Sequence, residues 1–386
     1  MKLNKKYIFN ILLVLSLTFV AMYFALKDDY KEAISALSRM NPLMLVLVLS
    51  WGLIFTAVWG ICYQILGSKY KKNYSLLEGI IVAFVGNFIA GITPSSTGGQ
   101  FGQIYVLKKQ GISYADGASL LWADFVIYQT TMMIYVTILF ALRFTHYVNL
   151  SAWFWIVFAG YLVNVVVIVI LYTIAIFPNF YLKLVDRLTA MLIRFKFFKK
   201  REAALLRTKG TIRNFTAEIK NLSQDKDLIV RCMLVNTLRL TLHFSLPFVV
   251  ARGVGIHVPL SQLVDVMALS SFVTMANSFI PLPGASGGTE VVFTLLFRRM
   301  FGVLTGAVLL LWRISSYYVP MIAGALVFIL FKNRNDRIKA EQELAQRDAK
   351  NSENSEAPKQ ISDADDHPEQ DQPLQNIKTE TKTFPA

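Results

Sequence analysis

Stretches of about twenty apolar residues, long enough to cross a hydrocarbon core, recur along this chain and predict most of its elements. Uninterrupted spans read as Tyr7 to Leu26, Leu43 to Leu66, Ala118 to Leu142, Phe154 to Phe177, Leu228 to Val250 and Val303 to Phe331. Two more apolar stretches, Leu76 to Val106 and Leu263 to Phe297, are each interrupted by a cluster of Pro, Gly, Ser and Thr. Such residues do not belong on a lipid-facing helix, because broken backbone at membrane depth must be buried in protein or line a polar cavity.

Charge near the ends of the spans sets their orientation. The amino terminus, the loop with Lys69, Lys71 and Lys72, and the connector 178–227 with Lys199, Lys200 and Arg201 are basic, whereas the loop 143–151 is not. Both termini are therefore expected on the cytoplasmic side. Lys108 and Lys109 follow the first interrupted stretch and belong on the same side, so that stretch enters and leaves from the cytoplasm. The same count makes the second interrupted stretch open outward, which leaves Arg298 and Arg299 near the outer face against the rule. Residues 336–386 are polar and poor in large apolar side chains, and read as a disordered cytoplasmic tail. The connector 178–227 alternates apolar and basic residues, and reads either as interfacial helices or as a solvated link.

The interrupted stretches resemble each other. "NFIAGITPSSTGG" (Asn87 to Gly99) and "NSFIPLPGASGG" (Asn277 to Gly288) both carry Asn, Phe-Ile, then Pro-x-x-[Thr/Ser]-Gly-Gly. With Pro94 aligned to Pro283, the register carries Gly117-Ala118 onto Gly306-Ala307, Asp124 onto Arg313 and Tyr128 onto Tyr317. Three spans separate the units, an odd number, so one is turned over relative to the other. The prediction is an all-α polytopic membrane protein of about six full transmembrane helices plus two re-entrant helical hairpins in an inverted repeat, the pattern that marks a midplane site in many secondary transporters.

Composition changes this picture little. The chain is 54% hydrophobic and 17% charged, as a polytopic protein requires, and its net charge of +14 lies beside the spans, where anionic headgroups account for it without nucleic acid. Cys62 and Cys232 form no spacing motif, no metal site or cofactor is expected, and no Walker motif, His-Glu-x-x-His or Cys-x-x-Cys occurs. "GASGG" has the form of a nucleophile elbow, but the only histidine after Ser286 is His367 in the polar tail, so no base is at hand.

The candidate chemistry lies in the breaks and their flanks. Asp124 and Arg313 sit mid-span, where a charge costs about 2.5–3.5 kcal/mol on insertion scales, so both are expected to face inward. The pseudo-twofold would bring them together, either as a structural ion pair or with Arg313 binding a headgroup phosphate. Glu290 stands where a half-helix begins, either in transport or complementing the helix dipole. Arg239, four residues before His243 on one helix face, is a further cavity residue or an interhelical partner. Ser286, Thr97 and Gln100 complete the candidate translocation residues, with hairpin tips at Pro94, Gly98, Gly99, Pro283, Gly287 and Gly288. Glu78, three after Ser75, reads as a capping box.

Three segments, Pro283 to Glu290, "GGQFGQIYVLKKQGIS" (Gly98 to Ser113) and "LLLWRISSYYVPMIAGAL" (Leu309 to Leu326), resemble the lysylphosphatidylglycerol synthase transmembrane family, the flippase-like membrane domain of the multiple peptide resistance factor. The resemblance covers roughly residues 5 to 335. It implies a flippase-like domain over 1–335, with hairpin repeats at about 76–142 and 263–331, that moves a phospholipid or glycolipid such as lysyl-phosphatidylglycerol between leaflets. Full-length members add a soluble lysyltransferase domain that the polar tail is too short to hold, so enzymatic activity is not expected from this chain itself. The expected partners are membrane lipids and a separate lipid-modifying enzyme. Gln100 stands where many relatives carry an acid, which bears on the substrate.

Overall fold

The computed structural model describes residues 30–93, 98–142, 153–193, 210, 217, 224–277 and 282–334. The expected first span, Tyr7 to Leu26, the tip residues Pro94 and Thr97, and the tail 336–386 lie outside the described residues. Among those described there is no strand. The helices are α1 (Tyr30–Ser38), α2 (Pro42–Gly67), α3 (Leu76–Gly91), α4 (Gly99–Lys109), α5 (Tyr114–Leu142), α6 (Trp153–Ile176), α7 (Pro178–Ile193), α8 (Lys226–Gly253), α9 (Leu263–Ala276), α10 (Gly288–Phe301) and α11 (Thr305–Arg313). Beyond α11 a π turn, Ile314–Tyr318, leads into a helix over 319–334.

Local chemistry sets several of these boundaries. Asn41 caps α2 by accepting from the Leu43 N–H at 2.8 Å, with Pro42 in the first turn, where its missing N–H costs nothing. Ser75 and Glu78 form the expected capping box at the start of α3. Gly302 has φ 55°, a conformation glycine adopts without a Cβ penalty, and it breaks the apolar run Gly288–Arg334 between α10 and α11. The π turn has a cause too. Pro320 has no N–H to offer the Ser316 carbonyl, and the Val319 N–H reaches back to Ile314 instead.

Four helical stretches are long and apolar enough to cross a membrane: α2, α5, α8 and the run Gly288–Arg334. The pair α6 and α7, bent by 102° at the Phe177–Pro178 junction, makes a fifth if taken as one span. α7 falls in the basic connector, whose middle lies largely outside the described residues. Exposed apolar side chains follow helical spacing on the outer faces, as Val230, Leu234 and Leu238 on α8 and Ile322, Leu326 and Ile329 beyond the π turn. Meanwhile Asp124, Gln129, Asn164, Asn236, Glu290 and Arg313 are buried. Apolar outside and polar inside suits a lipid solvent, in which only packing and polar contacts draw helices together.

Each Pro/Gly break falls between two shorter helices that pack against each other, α3 with α4 and α9 with α10. α2 lies at the centre, against α3 and α8. Two apolar cores flank it, one around Phe244, Phe272, Phe293, Phe297 and Trp312, the other around Tyr63, Val82, Leu107 and Leu120. Close approach of α2 to the π turn depends on Gly52. A Cβ there would stand 1.8 Å from the Ser315 carbonyl oxygen, while the Ser315 hydroxyl donates to the Val48 carbonyl. Gly52→Ala is expected to cost about 1–3 kcal/mol through forced separation, read as a lowered Tm of the purified protein in detergent. Gly117→Ala, whose Cβ would meet Leu107 at an ordinary 3.6 Å, is expected to leave Tm unchanged or raised.

Candidate functional site

The second break is held closed by one guanidinium. Gly284, Ala285 and Gly287 have φ of 59°, 51° and 88°, so the backbone from Pro283 to Gly288 turns tightly and leaves carbonyl and amide groups without helical partners. Arg313 donates from Nη2 to the Gly284 carbonyl at 2.7 Å and to the Ser286 hydroxyl at 3.2 Å. Its Nε donates to Glu290 Oε1 at 2.8 Å. The other carboxylate oxygen accepts the Gly287 N–H at 2.7 Å, closing the first turn of α10. Thr289 adds a bond to the Asn277 side chain at 2.8 Å, tying α10 to the end of α9. Both charges are enclosed, with side-chain exposures of 5% and 0%.

Arg313 thus pairs with Glu290, and the expected partnership with Asp124 is not formed. The reason is the helical hairpin about Gly302. Glu290 precedes that glycine by about as many residues as Arg313 follows it, so antiparallel α10 and α11 bring the two to one level. A local partner at the right height takes the guanidinium.

Asp124 belongs to a different cluster, at the meeting of α2, α3, α4, α5 and α8. Its Oδ2 accepts from Trp59 Nε1 at 3.1 Å and from the Tyr63 hydroxyl at 3.2 Å. Tyr63 in turn accepts from Gln103 Nε2 at 2.7 Å. The Arg239 guanidinium lies over the Trp59 ring at 4.1 Å and near the Tyr128 ring at 4.9 Å, a cation–π seat. These groups line a cavity of about 330 Å³ together with Gly99 and Gln100. His243, one helical turn beyond Arg239, packs edge-on against Phe55 and is not among the lining residues.

The two clusters adjoin at the end of α3. Ala90 lines the cavity, and the next carbonyl, that of Gly91, accepts the Tyr317 hydroxyl at 2.7 Å. The ring of Tyr317 lies 4.5 Å from the Arg313 guanidinium carbon and so near Gly284 that a Cβ there would stand 2.3 Å from its hydroxyl. Tyr317 therefore touches both breaks. Of the residues singled out from sequence, Asp124, Arg239, Gln100 and Gly99 gather at the cavity, and Arg313, Glu290, Ser286 and Gly287 at the second tip, with Pro283 and Gly288 beside them. Gly98 donates its N–H to the Thr93 hydroxyl at 3.0 Å. Trp59, Tyr63 and Gln103 were not anticipated. Their signal was the placing of Trp59 and Tyr63 four apart, on one face of α2. Among the described residues no group of three His, Cys, Asp or Glu side chains is arranged to hold a metal ion.

Helices able to cross a bilayer, apolar outward faces and enclosed charges at helix breaks define a multi-pass membrane protein. The chain belongs to the family of the lysylphosphatidylglycerol synthase TM region, which matches residues 8–324. Its similarity extends to a UPF0104 membrane protein of Archaeoglobus fulgidus, 23% identical across 76% of this chain and 88% of the relative. A UPF0104 membrane protein of Pyrococcus horikoshii is also 23% identical, across 86% and 98%. An uncharacterized protein of Mycoplasma pneumoniae is 23% identical across 82% and 85%.

The buried pair yields a stability prediction. Arg313→Ala leaves Glu290 enclosed without its partner and is expected to cost about 3–5 kcal/mol, seen as a large fall in Tm. Replacing both with apolar residues of similar size, Arg313→Met with Glu290→Leu, is expected to recover only the part of that loss due to the unpaired charge, because the Gly284 carbonyl and the Gly287 amide stay without their partners. Equal Tm values for the single and double variants would contradict the pairing.

Proposed function

We propose that this protein carries a phospholipid or glycolipid, such as an aminoacyl-phosphatidylglycerol, between the leaflets of a cell membrane. The observation that carries this reading is a polar cavity among apolar helices, holding Asp124 and Arg239, directly beside the closed tip of a broken segment. A headgroup crossing the bilayer needs such a polar path, and broken helices near the midplane supply one. The element order supports an inverted repeat: helix, break, helix, tight turn, long helix occurs once from α3 to α5 and again from α9 to residue 334. In this reading both termini are cytoplasmic, the hairpin α3–α4 opens toward the cytoplasm and the hairpin α9–α10 opens outward. Arg313 and Glu290 gate the outward tip, and Asp124, Arg239 and Gln100 line the path. With no nucleotide-binding motif in the sequence, movement is downhill or ion-coupled.

The family description contains the word synthase, which favours a second reading: the chain is the membrane component of phosphatidylglycerol lysylation, completed by a separate enzyme. Incubating the purified chain with lysyl-tRNA and phosphatidylglycerol is expected to give no lysyl lipid. Product formed by this chain alone would overturn the carrier reading in favour of an enzyme.

Liposomes containing the purified protein are expected to redistribute a labelled phospholipid between leaflets, and both Arg313→Ala and the apolar double variant are expected to lose that activity. An unchanged leaflet distribution with the wild-type protein would end the proposal. Topology is checked separately by Lys108→Cys and Val303→Cys, both at exposed positions, which are expected to react with impermeant thiol reagents from opposite sides of the membrane.

A further inference from the structure

The two arginines at the breaks are in different electrical states. Arg313 is neutralised by Glu290 and spends its donors on the Gly284 carbonyl and the Ser286 hydroxyl. Arg239 makes no hydrogen bond or ion pair among the described residues; its contacts are the faces of Trp59 and Tyr128. Asp124 lines the same cavity, yet no ion pair within 4.0 Å joins them. Trp59 keeps them apart, since its ring face seats the guanidinium while its N–H holds the carboxylate. Tyr63, itself fixed by Gln103, takes the same carboxylate oxygen. Among the described residues, Asp124 Oδ1 receives only the long 3.4 Å contact from Trp59. The result is a separated plus and minus, each with bonding capacity left over, facing about 330 Å³ of unfilled space.

We propose that this cavity binds a phosphate ester carrying a single primary ammonium, as in an ethanolamine phospholipid headgroup, with the phosphate on Arg239 and the ammonium on Asp124. Arg239 presents planar N–H donors suited to two phosphate oxygens, and Asp124 accepts from the ammonium. Charge counting favours this class over its neighbours. Among the described lining residues Asp124 is the one acid and Arg239 the one base, so a ligand with one phosphate and one ammonium leaves no charge uncompensated among them. A phosphatidylglycerol headgroup offers Asp124 nothing cationic, and a lysyl ester brings a second ammonium for which the described lining residues hold no second acid. Uncompensated charge among apolar helices is costly. A volume near the lower end of the range for small-molecule sites, about 300–1,000 Å³, fits a compact headgroup with its acyl chains left outside. This inference rests on the reading that lipid headgroups enter the cavity.

Binding is tested apart from transport. The full-length protein, purified in detergent, is incubated with phosphatidylethanolamine, phosphatidylglycerol or lysyl-phosphatidylglycerol at equal concentration, and the lipid retained is measured by native mass spectrometry. Phosphatidylethanolamine is expected to be retained about tenfold better than the other two, a difference of one good polar contact. Arg239→Ala is expected to lose retention of all three. Asp124→Asn is expected to abolish or reverse the preference, because Arg239 then balances the single negative charge of phosphatidylglycerol while the ethanolamine ammonium loses its acid. Trp59→Phe keeps an aromatic face for Arg239 and removes the N–H from Asp124, so it is expected to narrow the preference in a protein that elutes as the wild type does. Equal retention of the three lipids by the wild type, or an intact preference in Asp124→Asn, overturns the assignment. Soluble phosphoethanolamine that displaces the lipid at equal concentration overturns the lipid source and the carrier reading with it. A strong preference for phosphatidylethanolamine without its movement in liposomes leaves this site standing and removes the carrier reading alone.

Discussion

A backbone that leaves the helix inside a bilayer has no water to satisfy it, so every freed carbonyl and amide must find a protein partner. At the second break the Arg313–Glu290 pair does this in both directions, the guanidinium covering the Gly284 carbonyl and the carboxylate covering the Gly287 amide. The charges compensate each other while their remaining valences hold the turn. Ala285, a non-glycine residue at φ 51°, shows how tightly that turn is bent; such a conformation persists only where its surroundings over-determine it. The positions of α10 and α11 follow, because the hairpin about Gly302 must keep the two partners level.

The rest of the packing accommodates this arrangement. The π turn directly after Arg313 widens the helix where α2 comes nearest, at Gly52, and π turns inside helices recur at functional sites. Tyr317, within that turn, reaches the Gly91 carbonyl at the end of α3. A rearrangement at the second tip therefore has a direct mechanical route to the first. The stacked rings of Phe293, Phe297, Phe301 and Trp312 fill the seam between α10 and α11.

Much of this was legible in sequence, and unevenly so. Apolar run length and Pro/Gly/Ser clusters are signals of local composition, and they located α2, α5, α8 and both breaks to within a few residues. The capping box at Ser75 and Glu78 is equally local. Buried charges announce themselves through cost, which is why Asp124 and Arg313 stood out. Their partners were harder to read, because pairing depends on the level at which side chains meet across a hairpin. Pseudo-symmetry matched Asp124 to Arg313, but the Gly302 turn matched Arg313 to Glu290. Trp59 and Tyr63 escaped notice because aromatic residues in an apolar span look like lipid-facing or core side chains until a carboxylate is found beside them.

Trp59 joins three helices at one rigid ring: it belongs to α2, bonds Asp124 on α5 and seats Arg239 on α8. An indole cannot stretch, so the spacing between the two charges is a calibrated length as long as those helices keep their registry. Sliding α8 past α5 by a single residue rise, about 1.5 Å, would lift the guanidinium off the ring or draw the carboxylate from the N–H. The hold on the ligand proposed to span the two charges would thus be tied to helix alignment, with one indole setting its length and losing one of its two contacts when the helices shift.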